Sequence, residues 1–193
     1  MPKSSPKPVS RCEWPKSELD ILYHDTEWGV PVHDDTRLFE AFTLGGAQAG
    51  LSWSTILKRR EGYREAFHRF DIAKVARMGP KDVERLMLDT RIIRNRLKIE
   101  STLTNARAAI KVIESHGSLD QYLWSFVEGR PIVNQWKSLS ELPPTSPASD
   151  AMSKDMKAKG FRFVGSTICY ATMQGIGMIN DHVTSCFRYK ELR

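Results

Sequence analysis

No run of about twenty apolar residues occurs anywhere in this chain, so no stretch of it reads as a membrane-spanning helix. The opening MPKSSPKPVSR lacks an apolar core and does not read as a secretory signal; its prolines and basic residues make residues 1–10 an expected disordered tail. Cysteine is scarce. Three in 193 residues, with no Cys-x-x-Cys pair, argue against a disulfide framework and for a reducing compartment, the cytoplasm. Internal repeats are missing, and so is any sustained apolar–polar alternation bounded by hairpin turns. The periodicity that remains is helical, and the expected fold is all-α.

Negative charge is also in short supply: 23 acidic residues against 29 basic ones leave a net charge of +6, which favours polyanionic partners, nucleic acid first. Charge is unevenly spread. Although 27% of the chain is charged, the stretch AFTLGGAQAGLSWSTIL (41–57) carries none. Its glycines, with Gln48 and Trp53, suit either a core helix weakened by glycine or a pocket wall where backbone closely approaches a ligand. A second uncharged stretch covers residues 163–180. Two such runs should pack together, because each is costly to expose.

Local signals place the elements. Ser17 caps a helix with Asp20 as its capping-box partner. Asp34 or Asp35 opens the next, Leu38 and Phe42 sharing a face, and Gly45-Gly46 is expected to break it before a new helix near Gly50-Leu51. Ile56, Tyr63, Phe67 and Phe70 recur inward while Lys58, Arg59, Arg60 and Glu61 face water. A stripe at 99, 103, 106, 110 and 113 predicts a long helix ending at Gly117. Ser118 caps another through Phe126, residues 127–147 read as loop, and Ser149 or Asp150 caps a lysine-rich helix ending at Gly160. The basic run Arg91, Arg94, Arg96 and Lys98 reads as a solvated face or a phosphate-contacting one. After Gly160, a turn holding Phe161 and Phe163 leads to a helix opening at Gly165. This is a helix–hairpin–helix pattern, whose second helix can hold a phosphate on its first N–H groups; an ordinary turn packed by two phenylalanines fits as well.

Cys12 and His24 lie near one end of the chain, His182 and Cys186 near the other. His182 and Cys186 are four apart, so one helical turn would let them share a metal. Cys12 and His24 could complete a closed Cys2His2 tetrahedron, a structural site tying the ends together. Simple packing of these residues is the competing reading. Cys169 reads as a small core residue.

The segments RCEW (11–14), YHDTEWGVP (23–31), QAGLSW (48–53), WSFV (124–127), SDAMSK (149–154), GFRFVGSTICY (160–170) and NDHVTSC (180–186) together resemble the constitutive 3-methyladenine DNA glycosylases, type I. The resemblance runs from Arg11 to about Cys186. It implies a helix–hairpin–helix glycosylase fold over residues 11–186, of two intimate helical subdomains, with 187–193 a tail. It also implies one structural Zn2+ on Cys12, His24, His182 and Cys186. Trp14, Tyr23, Trp28 and Trp53 match the family's base pocket; Trp124 reads as core. Gln48, Gly50 and Leu51 match a DNA-contacting wedge segment, and Gly165, Ser166 and Thr167 match the hairpin end that grips phosphates. The implied activity is base-excision repair: flipping and hydrolytic release of N3-methyladenine from double-stranded DNA by a nucleoid-associated, cytoplasmic monomer.

One position departs from the family. Its pattern has a pocket glutamate where this chain has Gly45, and residues 41–57 contain no carboxylate. Glu40 is five residues upstream, about 140° round a helix, so it is expected to point elsewhere. Asp181 is a candidate from another segment, set against its reading as a support for the neighbouring His182. The catalytic group is therefore left unassigned. Three accounts stay open: an active glycosylase relying on a labile leaving group, a lesion-binding homologue that no longer cuts, and an introduced substitution. Outside the class stands a zinc-stapled helical module that binds protein.

Overall fold

The computed structural model describes residues 9–193; the first eight residues of the expected tail lie outside them. Eleven α-helices carry the described chain: α1 (Glu18–Thr26), α2 (Asp35–Gln48), α3 (Trp53–Leu57), α4 (Arg60–Ala66), α5 (Ile72–Arg77), α6 (Pro80–Met87), α7 (Arg96–His116), α8 (Leu119–Trp124), α9 (Pro147–Ala158), α10 (Ser166–Gly175) and α11 (Phe187–Glu191). The only strands among the described residues are β1 (Ile132–Val133) and β2 (Ile179–Asn180), which pair in parallel with Ile132 opposite Ile179. No helix there is long and apolar enough to cross a membrane.

The local signals mostly act where they are written. Ser17 and Asp20 form the reciprocal capping box of α1, and Asp34 caps α2. Helix α7 stops at Gly117, whose φ of +89° suits a residue without Cβ. The N-cap of α9 is Ser146 rather than Ser149 or Asp150, because Pro147 fits the first helical position, where no N–H is needed. The stretch 187–193 is not a tail: it folds into α11, which buries Tyr189, and Asn180 Nδ2 donates to the carbonyls of Tyr189 and Leu192 at 3.2 Å.

The core lies among α2, α7, α9 and α10. Leu38 and Phe42, Ile99 and Leu103, Met152 and Met156, and Cys169 and Met173 are all buried in it, together with Phe67 and Phe70. Trp124 belongs here, its Nε1 donating to Val32 O at 2.9 Å. Gly45 and Gly46 do not break α2. The helix continues through them because their missing side chains admit α10 and the turn before it. A Cβ on Gly46 would lie 3.1 Å from Phe163 Cβ, and one on Gly45 would lie 2.7 Å from Thr172 Oγ1. The two uncharged stretches do pack on each other, α2 against α10.

Between α10 and β2 the chain turns at Gly177 (φ +75°), where an added Cβ would meet Pro31 N and Val30 C at 2.4 Å. Gly177→Ala is expected to lower stability by at least about 2 kcal/mol, through the left-handed backbone and the overlap with main chain. Urea unfolding that leaves the midpoint unchanged would refute this close approach.

Candidate functional site

A cleft of about 530 Å³ opens between α1, α2, α3 and α10. Trp14, Tyr23, Trp28 and Trp53 all line it. Trp14 and Trp28 meet edge to face with centroids 5.3 Å apart, and Tyr23 and Trp53 are tilted at the same separation. The indole N–H groups of Trp14 and Trp53 are buried without a partner, donors that cost free energy until something accepts from them. Tyr23 OH has no hydrogen-bond partner among the described residues. Burial, reinforced by the charge of Glu27, pushes its pKa up, so the phenol stays a donor.

Positions implied as DNA-contacting divide into two groups. Gln48, Gly50, Leu51 and Thr167 line the cleft. Leu51 is a large apolar side chain 40% exposed, raised on a turn at Gly50 (φ +76°). Lys98 holds this turn from below, its Nζ donating to Ala47 O at 2.8 Å and Ala49 O at 2.6 Å. Gly165 and Ser166 sit instead at the start of α10, with the Ser166 hydroxyl bonded to Ser149 and Asp150. The remaining members of the basic run are engaged or apart: Arg91 pairs with Asp89 and Glu65, and Arg96 with Glu84.

Two carboxylates reach the cleft wall that the sequence reading placed elsewhere or passed over. Glu40 does line the cleft, although it stands 140° from Gly45 on a continuous helix. It accepts from Arg60 Nε at 2.6 Å and pairs with Arg64 at 2.9 Å, while Glu27 pairs with Arg60 at 2.8 Å. Arg60, expected to face water, is thus the centre of this cluster. Its guanidinium spans two carboxylates, a fork geometry that a solvated lysine could not reproduce. Gly45 also lines the cleft, with Thr172 occupying the space a side chain would need.

Asp181 does not line the cleft. It is 1% exposed and enclosed by four donors: Asn134 Nδ2 and Trp136 Nε1 on one oxygen, Tyr170 OH and Gln174 Nε2 on the other. With both oxygens so engaged, it knots the β1 loop to α10 and has no free oxygen to activate a water molecule.

Behind the aromatic wall, Cys12, His24, His182 and Cys186 bring four buried ligand atoms within 4.8 Å of one another. Cys12 Sγ lies 3.6 Å from His182 Nδ1, and Cys186 Sγ lies 3.6 Å from His24 Nε2 and 3.5 Å from His182 Nδ1. Bonds of about 2.3 Å to sulfur and about 2.05 Å to nitrogen, at a tetrahedral angle, put sulfur and nitrogen about 3.6 Å apart, so the donor set fits one tetrahedral ion. The outer ring nitrogens are held as well: His24 Nδ1 by Asp25 at 2.8 Å, His182 Nε2 by Trp28 O at 3.1 Å. Asp25 is gripped in turn by Arg11. The contact between the two thiols, ahead of burial, pushes Cys12 up; the same contact and the two histidines draw Cys186 down toward thiolate. His182 and Cys186 meet across a turn rather than a helix, closed by Cys186 N donating to Val183 O at 2.8 Å.

A mostly helical fold with an aromatic cleft and a buried cluster of two cysteines and two histidines behind it defines a narrow class. The model of the methyladenine glycosylase family matches residues 14–189, and the chain belongs to that family. It is 50% identical over 182 residues to DNA-3-methyladenine glycosylase 1 of Escherichia coli K12, covering 94% of this chain and 97% of that one. A crystal structure of 3-methyladenine DNA glycosylase I superposes with a TM-score of 0.89 at 50% identity, over 92% of this chain and 98% of that chain. The Staphylococcus aureus enzyme, solved to explain its recognition of 3-methyladenine, gives 0.87 at 35% identity over 89% and 92%.

Elemental analysis is expected to find one divalent ion per chain, lost in Cys186→Ala. Removing it should lower the melting temperature and change indole fluorescence, because Trp28 packs on His182 at 4.4 Å between ring centroids. A folded protein without metal would refute the site.

Proposed function

We propose that the protein is a base-excision repair DNA glycosylase that draws a cationic N3-methylated adenine from duplex DNA into the aromatic cleft, where water cleaves the glycosidic bond. The observation that carries this reading is the convergence of Trp14, Tyr23, Trp28 and Trp53 on one cleft. A flipped base costs a few kcal/mol of lost stacking, which the rings replace. A methylated, positively charged base gains a further cation–π attraction, about 2 kcal/mol when desolvated, that normal adenine does not. Leu51, exposed at the cleft, would fill the gap left in the duplex, with Gln48 and Gly50 beside it. The N–H groups opening α10 at Gly165, Ser166 and Thr167 suit a backbone phosphate.

The chemistry asks little of the protein. As the bond from the sugar C1′ to base N9 breaks, its electron pair returns to the ring and cancels the positive charge. Water adds to C1′ and gives up a proton. Such a leaving group needs less help than a neutral base would, consistent with a cleft whose two carboxylates, Glu27 and Glu40, are already held by arginines. The metal would then be a structural Zn2+, the ion that two thiolates and two imidazoles in a closed tetrahedron suit best. It would stand outside the reaction and hold the aromatic wall.

Purified protein is expected to release 3-methyladenine from methylated DNA, and Trp53→Ala to lower kcat/KM at least tenfold, the value of one stacked base. Binding to DNA should weaken steeply with salt. Salt-insensitive or absent binding would instead favour a module that binds protein.

Gly45→Glu alone should destabilise the fold, because Thr172 Oγ1, held to Ile168 O at 2.8 Å, occupies the path of the new side chain. Adding Thr172→Ala should recover the lost melting temperature. No release by the native chain, but release by this double variant, would mean that the protein holds the base without cutting.

A further inference from the structure

Position 45 offers the bound base no hydrogen-bond acceptor, and the carboxylates of Glu27 and Glu40 are tied to arginines. A different acceptor is offered by α10, the helix packed against position 45. Gln174, one residue before the end of α10, lines the cleft and is only partly buried. Its Nε2 donates to Asp181 Oδ2 at 2.7 Å. A carboxylate with a full set of donors can only accept, so the Gln174 amide is unable to flip. Its carbonyl Oε1 must then turn away from Asp181. That oxygen accepts from no described residue and is not sealed in the interior.

The group behind the amide adds to its strength. All four partners of Asp181 are neutral donors, and no Lys or Arg among the described residues pairs with it, unlike Glu27 and Glu40. A buried negative charge one hydrogen bond away polarises the amide and makes Oε1 a better acceptor. A phenol donor lines the cleft as well. Tyr23 OH lies 3.0 Å from where a Cβ on Gly175 would stand, the next residue along the helix. The cleft lining therefore carries a phenol donor, packed beside Gly175, and an amide acceptor at the preceding residue.

We propose that Gln174 is a specificity-determining residue whose Oε1 accepts from the exocyclic amine of the flipped base and so selects N3-alkylated adenine over N3-alkylated guanine. The assignment rests on the glycosylase reading of the cleft. Adenine carries on one edge a ring-nitrogen acceptor and an amine donor, the complement of Tyr23 OH and Gln174 Oε1. Guanine carries two acceptors on that edge, so its carbonyl would face the Gln174 oxygen without a proton between them. The positive charge of the alkylated adenine makes its amine a stronger donor, which ties this contact to damage as well as to base identity. Asp181 acts only through Gln174 and is a positioning residue.

The test uses the whole protein and DNA carrying both 3-methyladenine and 3-methylguanine, with release of each measured from the same reaction. Gln174→Met keeps the length of the side chain and removes the amide; Gln174→Leu repeats the removal with another shape. In both, kcat/KM for 3-methyladenine is expected to fall about tenfold, the value of one hydrogen bond, while release of 3-methylguanine stays within about twofold. Quenching of indole fluorescence by free 3-methyladenine should weaken in parallel. An equal loss on both lesions, which a damaged fold would produce, overturns the assignment, and so does an unchanged ratio. A native protein that neither releases either base nor is quenched by the free base overturns the glycosylase reading itself, and the assignment with it.

Discussion

The cluster of Cys12, His24, His182 and Cys186 is the constraint on which the cleft depends. It joins residues 170 positions apart, and its members alternate with the cleft's own. Trp14 follows two residues after Cys12, Tyr23 immediately precedes His24, and Trp28 stacks on His24 and meets His182 edge-on. Ordering the four ligands therefore orders three of the four aromatic rings. The fourth, Trp53, comes from α3, which a separate contact fixes: the hydroxyl of Ser54 donates to the buried Asp20 at 2.7 Å, drawing α3 onto α1. The wall is built from short segments with little core of their own, and strong local ties take the place of broad apolar packing.

The other wall is made by close approach. Gly45 and Gly46 let α10 and the turn before it lie directly on α2, and Thr172 fills what Gly45 leaves open. Position 45 is thus a matched pair with position 172, and the missing carboxylate leaves no simple hole. Charge has been moved to the periphery of the cleft, where Arg60 and Arg64 balance Glu27 and Glu40. Aromatic faces and a few oriented polar groups remain for the ligand.

How much of this was legible in the sequence follows from how local each signal is. The capping box at Ser17 and the stop at Gly117 are decided within a few residues and stand in the structure as written, and the stripe along α7 holds at Ile99, Leu103 and Ala106, with Ile110 and Ile113 only partly buried. The two uncharged stretches predicted their own contact. By contrast, Gly45-Gly46 read as a helix break because intrinsic propensity penalises glycine, whereas tertiary packing used the same residues to bring two helices together. Arg60 read as solvent-facing because its two acidic partners lie 20 and 33 residues away, beyond any periodicity. The grouping of the two cysteines and two histidines was suggested by residue type and made specific only by resemblance to a family. Gln174 carries no signal in the sequence at all. Its importance lies in the orientation that Asp181 imposes, which only three-dimensional structure reveals.

The aromatic wall also bears on turnover. Its hold is strongest on a cation, and bond cleavage is the event that abolishes the cation. The liberated base is neutral and no longer tethered to the duplex, so the same rings that captured it lose their electrostatic grip at the moment the product forms. On the proposed function, the reaction itself weakens binding, and emptying the site needs no separate moving part.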